Sequence, residues 1–211
     1  AYITCSESGF YDLDESILTG KLVYNSRLLI LDLHDPADIS QVAAHDIHGG
    51  IAHQQVVGGA LYVVSHYVGS SCEGVDEYWT CDPNPTRTTV TSFDLENPAD
   101  PEPVDQLFFD YIPYSYNPFT PQVVINQNHL FIAKNAPADD NSGLPWSVQA
   151  VEIVDPSGVL SLGSAVEISA SWTKRWQMSE REGVLRVVSS REDDSLVVET
   201  FSVSPQSELL P

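Results

Sequence analysis

The sequence has few basic residues: nine lysines and arginines stand against 30 aspartates and glutamates, which gives a formal net charge of −21. Binding to nucleic acid depends on basic side chains that replace the counterions of the phosphates. Anionic membrane surfaces attract the same side chains. The composition therefore predicts no nucleic-acid partner, and acidity of this strength is typical of proteins that stay in solution in saline or extracellular surroundings.

Long apolar runs are also missing, although 42% of the residues are hydrophobic. No stretch approaches the roughly 18 apolar residues that a membrane-spanning helix needs, so the sequence predicts no membrane span. The chain begins at Ala1 without a basic and then apolar leader. We expect a mature or trimmed chain from which any signal peptide has been removed.

Cysteine is scarce, with three residues in 211. Cys72 and Cys81 enclose the ten-residue segment "CEGVDEYWTC", and a short loop closed by two cysteines predicts a disulfide. A disulfide indicates an oxidising compartment, so we expect a secreted, periplasmic or cell-surface protein. Metal binding is the alternative for this pair, but histidines at ligand spacing are missing nearby. Cys5 is left over, and the other two pairings remain open.

Two strand patterns recur along the chain. In the first, a Gly- or Asn-containing turn precedes a short apolar strand, in "VGGALYVVS", "INQNHLFIA" and "REGVLRVVS", with Leu61, Leu130 and Leu185 at equivalent places. Such turn residues tolerate positive φ. In the second, an alternating strand runs into a proline turn, as in "TTVTSFDLENP". The prolines of this second pattern are Pro36, Pro98, Pro156 and Pro205.

One repeat unit therefore contains strand, turn, strand, variable loop, strand, proline turn and strand, within about fifty to sixty residues. Four short strands at this period are typical of a β-propeller blade. The sequence predicts an all-β protein with an irregular segment over residues 1–20 and about four blades over residues 21–211. The ring is either closed by a strand from residues 24–33 or continued by further chain as part of a larger propeller. A β-sandwich is the alternative architecture.

The segment "RWQMSEREGVLRVVSS", residues 175–190, resembles a phrase of bacterial and archaeal secreted proteins with a C-terminal β-propeller domain. The positions that match are Met178, Glu180, Gly183, Leu185, Arg186 and Val187. "VVGGALYVVS" and "TTVTSFDLENPADPEPV" are similar to other blade phrases of this family, and the likeness extends over residues 30–203. The resemblance implies a secreted propeller. Because the family continues with further blades, it also implies a ring completed by more chain or by a partner protein.

Three histidines, His45, His48 and His53, lie within "HDIHGGIAH". Imidazoles on one loop are candidate ligands for zinc or copper, although Gly49 and Gly50 would break a helix that aligned them. The alternative is a set of surface histidines in a turn between strands.

Acidic loops suggest a second kind of metal site. "DLDES", "ADDNSG" and "REDDS" carry carboxylates that could serve as calcium ligands, but none has the spacing of an EF-hand loop. Calcium is therefore the one cofactor that these loops suggest, and solvated turns are the alternative. Neither Gly-x-Ser-x-Gly nor His-Glu-x-x-His occurs, so no hydrolase motif supports an enzyme.

The segment "FFDYIPYSYNPF" is the richest in aromatic rings. Rings bury a large area with few rotatable bonds, so this loop is a candidate surface for a partner protein or a sugar, and a cover over the core is the alternative. Its candidate residues are Phe108, Phe109, Tyr111, Tyr114, Tyr116 and Phe119.

Together these features predict a non-catalytic extracytoplasmic propeller that acts as a scaffold for protein–protein interaction. Its partner would be another protein chain or the remainder of the same propeller. The alternative function is a calcium-dependent carbohydrate-binding or hydrolytic propeller that uses its acidic loops.

Overall fold

A computed structural model describes residues 10–12, 21–23, 25–32, 35, 37–67, 70–75, 78–83, 86–96, 102–111, 122–135, 146–169, 177–190, 195–204 and 208–210. Within these ranges the regular structure consists of β-strands, here numbered in chain order, and no helix occurs. The all-β prediction is confirmed.

Three antiparallel sheets of four strands each form the bulk of the described structure. Sheet I contains β5 (Gly50–Val57), β6 (Ala60–Tyr67), β9 (Thr86–Asp94) and β10 (Pro103–Tyr111). Sheet II contains β11 (Gln122–Ile125), β12 (His129–Asn135), β13 (Trp146–Glu152) and β14 (Ser161–Ile168). Sheet III contains β15 (Gln177–Arg181), β16 (Val184–Ser190), β17 (Leu196–Val203) and β18 (Leu209–Leu210).

Three two-stranded pairs complete the description. They are β1 (Phe10–Asp12) with β2 (Lys21–Val23), β3 (Asn25–Asp32) with β4 (Ser40–His48), and β7 (Ser70–Val75) with β8 (Tyr78–Pro83). The β7–β8 hairpin lies in the variable loop between the second and third strands of sheet I. The β3–β4 hairpin corresponds in sequence to β9–β10, the last two strands of that sheet.

The turns follow the chemistry of the two sequence patterns. Between the third and fourth strands, Asp94 and Asp155 accept hydrogen bonds from the backbone N–H groups of Glu96 and Ser157, both at 2.8 Å. Such side-chain caps compete with strand pairing and favour chain reversal. Between the first and second strands of sheet III, Glu182 and Gly183 have φ values of 57° and 74°, the left-handed pair that a two-residue hairpin turn requires.

The sheets stack face to face in chain order, and each contact is apolar. One buried cluster lies between the β3–β4 hairpin and sheet I, a second between sheets I and II, and a third between sheets II and III. Among the first strands of the three sheets, β11 contacts β5 on one side and β15 on the other. We call the side of each sheet that points to the next sheet its forward face and the other its rear face. The described strands show a stack with two ends, and no closed ring.

Candidate functional site

Equivalent positions in the three sheets are fixed by strand register. Leu61 lies opposite Phe93 in sheet I, Leu130 opposite Val151 in sheet II, and Leu185 opposite Phe201 in sheet III. Each of these pairs belongs to the apolar cluster on the rear face of its own sheet. The sheets can therefore be compared residue by residue.

The forward faces differ sharply at one set of equivalent positions. The third strands of the three sheets, β9, β13 and β17, carry Phe93, Val151 and Phe201 on their rear faces. Side chains alternate along a strand, so the residue three positions earlier points forward. These residues are Val90, Val148 and Val198. Val90 and Val148 are 0% exposed because the next sheet covers them, whereas Val198 is 63% exposed. The forward face of sheet III is therefore uncovered.

The second strands of the three sheets, β6, β12 and β16, show the same difference between buried and exposed forward positions. Tyr62 and Phe131 occupy equivalent forward positions in sheets I and II and are buried, and the Tyr62 hydroxyl donates a 3.4 Å hydrogen bond to the Ile153 carbonyl. Burial raises the pKa of Tyr62, and the nearby Asp155 charge adds to the rise. Arg186 stands at this position in sheet III and is exposed.

We call the forward side of sheet III the open face. Leu196 and Leu210, 73% and 51% exposed, extend the apolar strip around Val198. The alternation of side chains and the register of the four strands place on it Arg181, Val184, Arg186, Val188, Leu196, Val198, Thr200, Ser202 and Leu210.

The open face carries positive charge in a strongly acidic protein. Two of the six arginines of the chain, Arg181 and Arg186, lie on it, and none of the described residues that make up the face is acidic. In the adjacent turn, Glu182 Oε1 lies 3.3 Å from Arg181 Nε, and both side chains are exposed. The arrangement can bury apolar area while donating hydrogen bonds to carboxylates.

The predicted aromatic surface is described only in part. Phe108 is 53% exposed and lies under the Arg87 guanidinium, whose carbon is 5.1 Å from the ring centroid. Phe109 is buried in the cluster between sheets I and II. The backbone of Tyr111 ends β10, while Tyr114, Tyr116 and Phe119 lie outside the described residues.

The three predicted histidine ligands lie in different surroundings. His45 packs against Phe93, with ring centroids 5.2 Å apart, and His48 packs against Tyr67 at 4.2 Å. His53 lies opposite Val64 on the neighbouring strand. Among the residues that the structure describes, no group of three or more His, Cys, Asp and Glu side chains could hold a metal ion.

The backbone of the β7–β8 hairpin places Cys72 directly opposite Cys81. Pro83, two residues beyond Cys81, lies opposite Ser70 and has no N–H to donate. Proline therefore fits a non-hydrogen-bonded pair, and the pair two residues along is of the same type. Neighbouring Cα atoms in such pairs lie about 4.5 Å apart, within the range for a disulfide. The disulfide itself stays a prediction.

The acidic loops proposed for calcium fall almost wholly outside the described residues: "ADDNSG" does so entirely, and only Asp12 of "DLDES" and Ser195 of "REDDS" are included. Calcium binding there stays a prediction.

Sequence reasoning predicted a ring that more chain or a partner completes, but it did not identify the residues of the open face. Its signal was present in β17, where Val198 aligns with Val90 and Val148, but the pattern alone does not say which copy lacks a neighbour.

No family model matches the chain, and the search of curated proteins gives no match. Among the described residues, no helix is long and apolar enough to cross a bilayer.

Proposed function

We propose that the protein is a propeller-type scaffold whose open face binds the β-sheet of another protein chain. The observation that carries this proposal is the exposure of Val198 at 63% where the equivalent Val90 and Val148 are fully buried. A β-sheet face with a continuous apolar strip gains free energy when another layer covers it.

The stacking geometry supports a sheet as the occupant. Sheets I and II are each covered by a following sheet whose rear face contributes the Leu130–Val151 and Leu185–Phe201 pairs. The open face repeats their strand order and spacing, so the same kind of rear face fits it. A partner that supplies this layer would continue the series towards a ring.

The charge of the open face supports a partner with carboxylates at the contact. Arg181 and Arg186 project from it without an acidic neighbour on the same described face. Arginine binds carboxylates in a planar, bidentate manner and is enriched at interfaces. A partner with apolar residues at its centre and aspartate or glutamate at its rim meets both requirements.

The proposed location is extracytoplasmic. The opposed cysteines of the β7–β8 hairpin support it, because disulfides persist in oxidising compartments, and so does the net charge of −21.

Site-specific photo-cross-linking in the native host tests the proposal. A benzophenone side chain is placed at Val198 and, as the matched control, at Leu162, which is 61% exposed on β14 away from the open face. We expect a discrete adduct at Val198 whose cross-linked peptide maps to a β-strand of one partner. Equal labelling at both positions, or no adduct at Val198, would contradict the proposal.

Binding of the identified partner is then measured with Val198→Asp and Leu162→Asp. Burying an unpaired carboxylate is unfavourable by several kcal/mol, and about 1.4 kcal/mol is a factor of ten, so Val198→Asp should weaken the affinity at least about tenfold. Leu162→Asp should leave the affinity unchanged. A Val198→Asp variant that binds as well as the unmodified protein overturns the assignment of this face.

A further inference from the structure

A cleft of about 500 Å³ opens between sheets II and III, away from the open face. Its walls are the turn that joins β11 to β12, the turn that joins β15 to β16, and the end of β17. The volume lies in the range of sites for small molecules.

Hydrogen bonds between the two sheets hold the walls in place. Asn126 Nδ2 donates to Glu180 Oε2 at 2.6 Å, and the Gly183 N–H donates to Glu180 Oε1 at 2.8 Å. Asn126 Oδ1 in turn accepts the backbone N–H groups of Asn128 and His129. The Glu180 carboxylate is therefore fixed in position, and each of its oxygens retains capacity for another donor.

His129 lines the same cleft, and one of its ring nitrogens is buried without a hydrogen-bond partner. Its side chain is stacked on Phe131 with ring centroids 5.7 Å apart, the residue is 9% exposed, and the Nε2 atom has no hydrogen-bond partner. Burial lowers the pKa of His129, although Glu180 and Glu152 oppose the shift. The neutral ring with its proton on Nδ1 presents Nε2 as an acceptor.

The charge of the cleft is negative. Glu180 and Glu182 line it, and none of the lining residues that the structure describes is a lysine or an arginine, although Arg181 lies 3.3 Å from the Glu182 carboxylate. The Ser204 hydroxyl and Val203 complete the far wall. Such a site disfavours anionic ligands, and the net charge of −21 raises the local concentration of cations.

We infer that this cleft binds a primary ammonium group, carried by a small amine or by a lysine side chain. An alkylammonium has three donors and no acceptor, which suits a cleft lined by the Glu180 carboxylate and Ser204, with the buried and unpartnered His129 Nε2 in its wall. A divalent metal ion fits less well, because no group of three or more His, Cys, Asp and Glu side chains among the described residues could hold one. The inference does not rest on the proposed function of the open face, although Glu182 of the cleft also contacts Arg181 of that face.

The test follows backbone amide shifts by NMR during titration with n-butylammonium at physiological ionic strength, where exposed charges are largely screened. Tetramethylammonium, which has the same charge but no donor, is the matched control. We expect saturable shifts at Asn128, His129 and Gly183 with the primary amine alone. Shifts that are equal for both cations, or spread over the acidic surface without saturation, overturn the inference.

Two substitutions localise the binding. Glu180→Gln keeps the shape of the side chain, and losing a charge-assisted hydrogen bond should weaken the amine about tenfold. Glu182→Asn removes a charge from an exposed turn residue that already has a φ of 57°, so this variant should fold, and we expect a loss of about threefold. Glu199→Gln, a carboxylate elsewhere on sheet III that accepts the Ser169 N–H, is the control and should bind normally. Unchanged affinity in both cleft variants contradicts the inference.

A blocked lysine peptide and the same peptide with leucine separate the two sources of ammonium. Tighter binding of the lysine peptide than of butylammonium indicates a side chain of a partner, whereas equal or weaker binding indicates a small free amine. In either case the leucine peptide should not bind, and binding of the leucine peptide overturns the inference.

Discussion

Sheets II and III have the same strand order, but the forward face of sheet II is covered by another sheet and that of sheet III is exposed. Phe131 is fully buried on the first, and Arg186 stands exposed at the same position of the second. Sheet II shows what a following layer does: it removes an aromatic ring and two small apolar residues of β13, Val148 and Ala150, from water. Burial in this fold is therefore decided by the neighbouring sheet rather than by the strand itself.

Substitutions at this equivalent pair should differ most in their effect on stability. Phe131→Ala should lower the free energy of unfolding by about 3–5 kcal/mol, because it leaves a cavity between sheets II and III. Arg186→Ala should change it by less than about 0.5 kcal/mol, as at other exposed sites. Urea denaturation of both variants measures the difference. Similar losses in the two variants would show that the open face is covered in solution by the protein itself.

A second prediction uses a histidine on the covered forward face of sheet I. Burial lowers the pKa of His66 from 6.5 to about 4, and its Nδ1 lies 3.3 Å from Thr88 Oγ1. Because the unfolded chain binds the proton first as the pH falls, the contribution of neutral His66 is complete above pH 6.5 and is lost towards pH 4. The loss should reach about 3 kcal/mol.

Equilibrium unfolding between pH 7 and pH 4 checks this sign, with His66→Gln as the control for the other titrating groups. The unmodified protein should lose more stability than the variant over that window. Parallel pH profiles for the two proteins would mean that His66 is not desolvated, and that the junction of sheets I and II is less closed than the buried Val90 and Tyr62 indicate.

A third prediction concerns the β7–β8 hairpin, which lies outside the stacked sheets. A disulfide between the opposed Cys72 and Cys81 closes a loop of about ten residues and should stabilise the protein by about 2–3 kcal/mol. After alkylation without reductant, the measured mass should show that neither cysteine has been modified. Alkylation of both residues in protein taken from its native compartment would count against the bond and against the oxidising location.

Much of the fold was predictable because its determinants are local. The turn before each of Leu61, Leu130 and Leu185, and the turn at Pro156 after β13, are encoded within a few residues of sequence. These local signals predicted sheets of four strands, and the structure confirms this.

The candidate sites were less predictable because they depend on contacts between sheets. The Asn126–Glu180 hydrogen bond joins residues 54 positions apart, and no motif announces it. Val198 is exposed because no further sheet covers the forward face of sheet III among the described residues, whereas the sequence pattern of its strand is similar to those of the strands that carry Val90 and Val148. The aromatic segment drew attention by composition, yet its two phenylalanines in β10 point to opposite sides, one buried and one exposed.

The smallest effect is expected at the other end of the stack, on the rear face of the β3–β4 hairpin. Arg27 Nε donates to Asp46 Oδ1 at 2.8 Å, both side chains are well exposed, and the arginine lowers the pKa of Asp46. Exposed ion pairs contribute little to stability, so Asp46→Asn should leave the urea midpoint unchanged. Asp38→Asn, at an exposed aspartate in the preceding turn, is the matched control. If Asp46→Asn alone lowers the midpoint strongly, the pair is buried in solution, because breaking a buried pair leaves an uncompensated charge. That result would place another layer against this face, and the two ends of the stack would then differ in the way that sheets II and III do.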